Sequence, residues 1–321
     1  MSSAASQQQR IALTCTILAS FVTPFMSSAI NIALPAIGRR FFMSALALGW
    51  VASSFLLAAA MALVPFGKLA DRFGRKRIFT AGMGLYTAAS LACALAPSGT
   101  ALILFRVIQG IGGAMTFATA MAILTSVYPP GERGRAIGLA AASTYFGLSL
   151  GPVLGGLLTE HLGWRSLFYV NVPVGLAALV LLAWKLKGEW TGAKEARFDL
   201  LGSLLYALGL PALMYGLSRL PALEGAVFLA GSLACLALFL FWESRVREPV
   251  LNLGLFRGNP VFTFSNLAAL INYSATFAAT FLLSLYLQYI QALSPQKAGQ
   301  GGKGGRLSDR LQPRLLASAG M

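Results

Sequence analysis

Long apolar runs, broken by short charged or Pro/Gly-rich stretches, set the pattern of this chain. A helix needs about 20 apolar residues to cross a bilayer, and on that measure the chain predicts nine spans. They lie near Ile11–Leu34, Leu46–Pro65, Ile78–Ala96, Ala101–Val127, Ala136–Thr159, Leu167–Trp184, Leu200–Leu217, Gly225–Trp242 and Val261–Ile290. The runs lack the period-2 alternation of membrane strands, and a helix satisfies its own backbone inside lipid. An all-α membrane protein is therefore predicted. The first run follows Arg10 as a secretory signal would, but it stays uncharged to Gly38. That is well beyond a signal core of about 7–15 residues, so it is read as a retained helix.

Composition agrees. The chain is 57% hydrophobic and 11% charged, where a soluble domain carries about a quarter charged residues. Its net charge of +15 would suit nucleic acid, but the bases fall in short loops between apolar runs rather than on one soluble face. Fifteen of them lie on the side of the N-terminus and four, Arg39, Arg40, Arg165 and Arg219, on the other. The positive-inside rule then places the N-terminus in the cytoplasm. Cys15, Cys93 and Cys235 sit in apolar runs and His161 stands alone, so neither a disulfide framework nor a metal site is expected. No cofactor is expected, and no catalytic constellation points to an enzyme.

Within this pattern three stretches carry candidate chemistry. GKLADRFGRKR, Gly67–Arg77, is predicted to be a tight cytoplasmic loop between the second and third spans. Gly67 and Gly74 permit close approach and a turn. Asp71 is an acid among bases that include Arg72, Arg75 and Lys76. Its expected role is an ion pair, made and broken as helices rock, with Arg133 or Arg135 of the next cytoplasmic loop. The plainer reading is a basic anchor without switching. The second stretch surrounds Arg106, the charge well inside an apolar run. A cation there costs about 2.5–3.5 kcal/mol, so it should face a bundle interior or a water cavity; the alternative is an arginine that snorkels to the interface. Gln109 shares its helix face, and Gly110 and Gly113 admit a close neighbour. The third, GLSLGPVLGG, sets Gly147, Gly151 and Gly155 on one face, followed by Gly156, with Pro152 able to kink the helix. Asn31, Trp50, Tyr145 and Gln288 are polar or aromatic residues inside spans; they suit a substrate cavity and suit packing equally well.

These stretches occur in the order and on the helices that resemble the major facilitator superfamily. GKLADRFGRKR is similar to its signature between helices two and three, RVIQGIGGAM to its fourth-helix motif, and GLSLGPVLGG to the motif of its antiporters. NIALPAI and GWRSLFYVNVPVG also fit, and the two extra spans opening FDLLGSLLYALGL resemble the fourteen-span drug:proton antiporter branch. The resemblance implies a complete six-helix N-terminal half (1–184), a linker (185–199), two extra spans (200–242) and a loop with the first helix of the C-terminal half (243–298). It implies proton-coupled export of small amphipathic or cationic compounds by alternating access, with Arg106 tied to proton coupling. The partners would be a small-molecule substrate, protons and the lipid of a cell membrane, a prokaryotic inner membrane. Two departures stand out. Met26 occupies the position, five before Asn31, where many members carry an acid. Residues 299–321, Gly-rich and basic, replace the last five helices and read as a disordered or aberrant tail. On that reading the C-terminal half is incomplete and the chain alone is not expected to drive export. The other reading is a truncated, non-transporting membrane protein or a helical subunit needing a partner.

Overall fold

A computed structural model describes residues 3–186, 188–192, 199–246 and 248–300, with side chains described from residue 7 onward except at position 257. Lys187, Lys194, Arg197, Arg247 and the stretch beyond 300 lie outside the described residues. Helices follow one another throughout: α1 (Ser3–Phe41), α2 (Ala45–Phe73), α3 (Arg75–Ala94), α4 (Gly99–Val127), α5 (Pro130–His161) and α6 (Ser166–Trp184). Beyond them come α7 (Leu200–Ser218), α8 (Leu223–Glu243), the short α9 (Gly254–Gly258), α10 (Pro260–Leu285) with a π-helical turn at Tyr286–Ile290, and α11 (Pro295–Gly299).

Eight of these helices are long and apolar enough to cross a membrane. The exception among the nine predicted spans is the third. It is a helix, α3, but it begins with three bases and carries Thr80, Thr87 and Ser90 along its length. Those polar groups are tolerated because α3 is wedged between α4 and α6, and Thr87 and Ser90 donate to the Met83 and Tyr86 carbonyls at 2.7 Å. The face with Met83, Thr87 and Ser90 is buried in protein, while Ala81, Ala88 and Leu91 stay exposed on the other side.

The predicted loop at Gly67–Arg77 needs a larger correction. α2 continues through Phe73 and α3 starts at Arg75, so the connection is the single residue Gly74 at φ +115°. The charged residues extend both helices past the apolar spans. Gly67 lies inside α2, and a Cβ there would reach only ordinary contact with Ala118, at 4.0 Å. Close approach is therefore not its role.

α1 is the central column. Its residues Met26, Ile30, Leu34 and Ile37 are fully buried against Val51 of α2, Leu102 of α4 and Phe168 of α6. Nearer the N-terminus, Ala12 and Cys15 meet Phe79, Ile123 and Leu182. Along its other flank α1 packs on α5, and here the glycine stripe is decisive. A Cβ at Gly147 would stand 2.6 Å from the Phe21 carbonyl oxygen, at Gly151 2.6 Å from Ser28 Cβ, and at Gly155 2.8 Å from Ala29 Cβ. Lipid offers no hydrophobic drive between helices, so this closeness of backbones supplies the association. α5 runs unbroken through Pro152. Outside the six-helix bundle, α7 and α8 form a hairpin that leans on α2, while α10 touches α1.

These contacts set an expectation for the glycine face. Replacing Gly151 with Leu should cost about 1–3 kcal/mol by overpacking. Gly138 of the same helix has nothing within 4 Å of a Cβ, so Gly138→Ala should be neutral or gain up to about 1 kcal/mol of helix propensity. Thermal melts of the detergent-purified chain check both; equal melting temperatures would remove the glycine face from the account.

Candidate functional site

Two polar clusters stand at different depths of the bundle. The first is at the end where Gln8 and Tyr128 lie. Asp71 Oδ1 accepts from Arg75 Nε at 2.9 Å and Nη2 at 2.8 Å, while Arg75 Nη1 donates to Ser126 Oγ at 2.7 Å and the Ala122 carbonyl at 3.1 Å. One guanidinium thus ties the end of α2 to α4 across the Gly74 turn. The expected partners are not the observed ones. Arg133 donates instead to the Tyr128 carbonyl at 3.0 Å, and neither it nor Arg135 pairs with Asp71 among the described residues. The reason is spacing: with no loop between α2 and α3, Arg75 stands one helical turn from Asp71 and reaches it first. Arg72 lies over the Phe73 ring. Near this end the Tyr128 phenol, donating to the Gln9 carbonyl at 3.0 Å, is pushed up by burial and by Glu132, with Arg135 and Arg10 opposing.

A strap from the segment after α6 closes over the same turn. Glu189 Oε1 accepts the Lys76 N–H at 2.8 Å, Lys76 Nζ reaches the Leu186 carbonyl at 2.6 Å, and the Arg75 N–H donates to the Trp190 carbonyl at 2.8 Å. The Gly192 N–H returns to the Asp71 carbonyl at 2.9 Å. A carboxylate at the start of α3 satisfies N–H groups that have no partner within the helix. A Cβ at Gly74 would come within 2.5 Å of the Glu189 carboxylate carbon, so the glycine serves both its positive φ and the strap. An open cleft of about 560 Å³ lies beside it, lined by Lys76, Arg77, Thr80, Ala183 and Glu189 among others.

The second cluster lies within the bundle. Arg106 is 0% exposed. Its Nη1 donates to Gln109 Oε1 at 2.8 Å and its Nε to the Val51 carbonyl at 3.2 Å, and its guanidinium sits 4.5 Å from the Phe55 ring centroid. Gln109 passes the chain on, donating to Ser90 Oγ at 2.8 Å. The cation is thus sealed between α2, α3 and α4, not at the interface and not open to a cavity. Glycines bring those helices in. A Cβ at Gly110 would overlap the Phe55 carbonyl, and one at Gly112 would stand 2.5 Å from the Tyr86 nitrogen. Gly113 is less constrained, facing the Phe55 ring at 3.3 Å. Arg106 Nη2 has no hydrogen-bond partner among the described residues.

The four cavity candidates do not converge. Gln288 donates to the Ile32 carbonyl at 2.9 Å, beside Ser284, which donates to the Asn31 carbonyl at 2.7 Å. Gln288 therefore holds the π-helical turn and α10 to α1. Asn31 is buried with its Oδ1 unpartnered, Trp50 is half-buried, and Tyr145 is 58% exposed. Gly156 packs against the Pro295 carbonyl of α11, and Pro152 stays within the α5 helix. At Met26, the thioether accepts the Asn171 amide at 3.2 Å. Ser90, Phe55, Gly112 and Glu189 escaped the sequence reading. Each is marked only by a neighbour from another helix or segment.

Fold and site together define a multi-pass helical membrane protein whose charged groups are concentrated at helix ends and in one buried network. The Major Facilitator Superfamily model matches residues 16–321, and the chain belongs to that family. Among curated proteins it is 35% identical to the tetracenomycin C resistance and export protein of Streptomyces glaucescens, over 85% of this chain and 52% of that protein. It is 33% identical to the multidrug resistance protein Stp of Mycobacterium tuberculosis (strain CDC 1551 / Oshkosh), over 92% of this chain and 56% of Stp. With the riboflavin transporter RibZ of Clostridioides difficile (strain 630) the identity is 30%, over 91% of this chain and 64% of RibZ. The chain spans roughly half to two thirds of the length of these relatives.

The buried network makes a direct prediction. Ser90→Ala leaves the Gln109 amide without its acceptor and should cost about 1–3 kcal/mol. Arg106→Lys should be destabilising too, because an ammonium cannot hold the Val51 carbonyl, Gln109 and the Phe55 face with one planar group. Melting temperatures in detergent micelles read both; a lysine variant as stable as the parent would mean the network is not needed for the fold.

Proposed function

We propose that this protein works as a proton-coupled exporter of small amphipathic or cationic compounds, of the fourteen-span drug:proton antiporter type. The described residues would contribute its N-terminal six-helix half, the α7–α8 pair and the first helix of a second half. The observation that carries the reading is Arg106, wholly buried, with its Nη2 amino group unpartnered among the described residues. A buried donor left unsatisfied costs about 1–3 kcal/mol, more when charged. A cation kept inside a membrane bundle at such a cost marks a functional position. The Nη2 N–H groups are available to an acceptor on a substrate or to water that enters when the two halves rock about their shared site. The names of the export and resistance relatives support the same class. We place the Arg10–Asp71 end in the cytoplasm of a prokaryotic inner membrane, because most loop bases gather there. The Asp71–Arg75 pair and the strap would then open and close on that side. Met26 leaves the first helix without an acid, so the coupling proton would be held elsewhere.

Two arms test the proposal in liposomes with an imposed pH gradient and a lipophilic cationic dye. The chain is reconstituted alone, and together with the remaining C-terminal helices of the tetracenomycin C exporter. Gradient-driven dye movement is expected in the second arm only, lost at least about tenfold in Arg106→Ala, a change of about 1.4 kcal/mol or more. Movement in neither arm, with both chains folded in the bilayer, would overturn the export reading in favour of a non-transporting helical subunit.

A further inference from the structure

A proline inside a helix has no N–H, so the carbonyl four residues before it loses its helical donor. α1 contains Pro35 and α5 contains Pro152. The carbonyls they free are those of Asn31 and Leu148, and each is answered by a serine from a neighbouring helix. Ser284 of α10 donates to the Asn31 carbonyl at 2.7 Å, and Ser28 of α1 donates to the Leu148 carbonyl at 3.0 Å. Hydroxyls of adjacent helices that re-satisfy such carbonyls make proline tolerable in lipid.

The two fillings differ in how firmly they are held. Ser28 sits where α1 and α5 are in backbone contact. A Cβ on Gly151 would stand 2.9 Å from its hydroxyl oxygen, and Gly147 and Gly155 close the same face. That hydroxyl cannot leave while the glycine face is intact. α10 is placed otherwise. Only 6% of its most apolar stretch is buried, and the buried residue of α10 is Ser284 itself, 2% exposed. Phe277, Phe281 and Leu285 are partly buried against the α1 core. One turn beyond Ser284, Gln288 Nε2 donates to the Ile32 carbonyl at 2.9 Å and to Ser284 Oγ at 3.3 Å. A hydroxyl and an amide one turn apart on α10 thus meet two successive carbonyls of α1.

We propose that the Asn31 and Ile32 carbonyls, beside the gap left by Pro35, form a docking notch on α1 for a helix that carries a hydroxyl and an amide one turn apart, and that Ser284 and Gln288 latch α10 into it releasably. Ser284 is the specific element, because residue 35 of α1 has no N–H to give Asn31. Gln288 takes a lone pair of the Ile32 carbonyl, which has two. When α10 is unseated, the bare Asn31 carbonyl has to find water or another donor. The Ser28 filling is the permanent counterpart of this exchangeable one. The inference concerns the chain's own helices and stands apart from the export reading and from Arg106.

Spin-label distances in lipid nanodiscs test it, with labels on cysteines placed at Leu282 of α10 and Leu162 at the end of α5, both exposed, and with Cys235 changed to Ala. The parent should give one narrow distance distribution. Ser284→Ala should lose it and Ser284→Thr, which keeps the hydroxyl, should retain it. Pro35→Ala returns an N–H to the Asn31 carbonyl, so it should also lose the narrow distribution, and Ser284→Ala added to it should change nothing further. Ser28→Ala should leave the distances as they are. Alanine suits a helix better than proline, and Ser284→Ala removes one oxygen, so both variants should fold; if Pro35→Ala does not, the Ala and Thr variants at 284 decide alone. A broad parent distribution, or a parent-like one in Ser284→Ala, overturns the proposal, since α10 would then be unlatched or held by its apolar side chains. So does a Pro35→Ala chain in which Ser284→Ala still broadens the distances, because the latch would not depend on the proline. A loss in Ser28→Ala equal to that in Ser284→Ala would overturn the division into permanent and exchangeable fillings.

Discussion

A guanidinium placed inside a membrane bundle must be enclosed by protein, and in this chain the enclosure of Arg106 brings three helices together. The acceptors are spread over them: the Val51 carbonyl on α2, Gln109 on α4 itself and, through Gln109, Ser90 on α3. None of these can reach unless the backbones are close. Gly110 admits α2 and Gly112 admits α3, each at a distance where a methyl group would collide. The cation and the glycines are therefore one device. The ring of Phe55 covers a guanidinium face that lacks a polar neighbour, an arrangement favourable for a desolvated cation.

The same economy governs the end where Asp71 lies. α2 and α3 are joined by one residue, which leaves the N–H groups opening α3 with no turn of chain to satisfy them. The strap does so from a segment more than a hundred residues away, through Glu189, while Asp71 is held one turn from Arg75. The Asp71–Arg75 pair is partly exposed, so its Coulomb energy is small, at most about 1 kcal/mol. Its importance lies in geometry: Arg75 spans from α2 to α4 through Ser126. Any rocking of α2 against α4 has to break or carry that bridge.

Polar seams recur where helices meet, within the six-helix bundle and outside it. Ser284 and Gln288 fasten α10 to α1 through backbone carbonyls, Ser232 donates to Gly209 within the α7–α8 hairpin at 2.8 Å, and Ser143 reaches the Ile17 carbonyl at 2.9 Å. In lipid, hydrogen bonds of this kind and small residues replace the hydrophobic drive.

What the sequence determined by itself was the helical class, the span positions and the residues that bear charge inside or beside the membrane. Charge is so costly in lipid that its placement is legible in one dimension. Arg106 and the basic cluster around Asp71 were legible for that reason, while Gln109 and the Gly147–Gly151–Gly155 face were legible from helical spacing. Tertiary structure alone decided which group answers each charge. The Asp71 partner moved from Arg133 or Arg135 to Arg75 because α2 and α3 proved continuous up to Gly74, and a helix ending depends on caps supplied from elsewhere. Gln288 and Asn31 became seam residues because α10 lies against α1. Ser90, Gly112 and Glu189 have no signature along the chain, since each is defined by a neighbour from another helix or a distant segment. Periodicity and charge report what a residue must avoid; only the packed helices report what it meets.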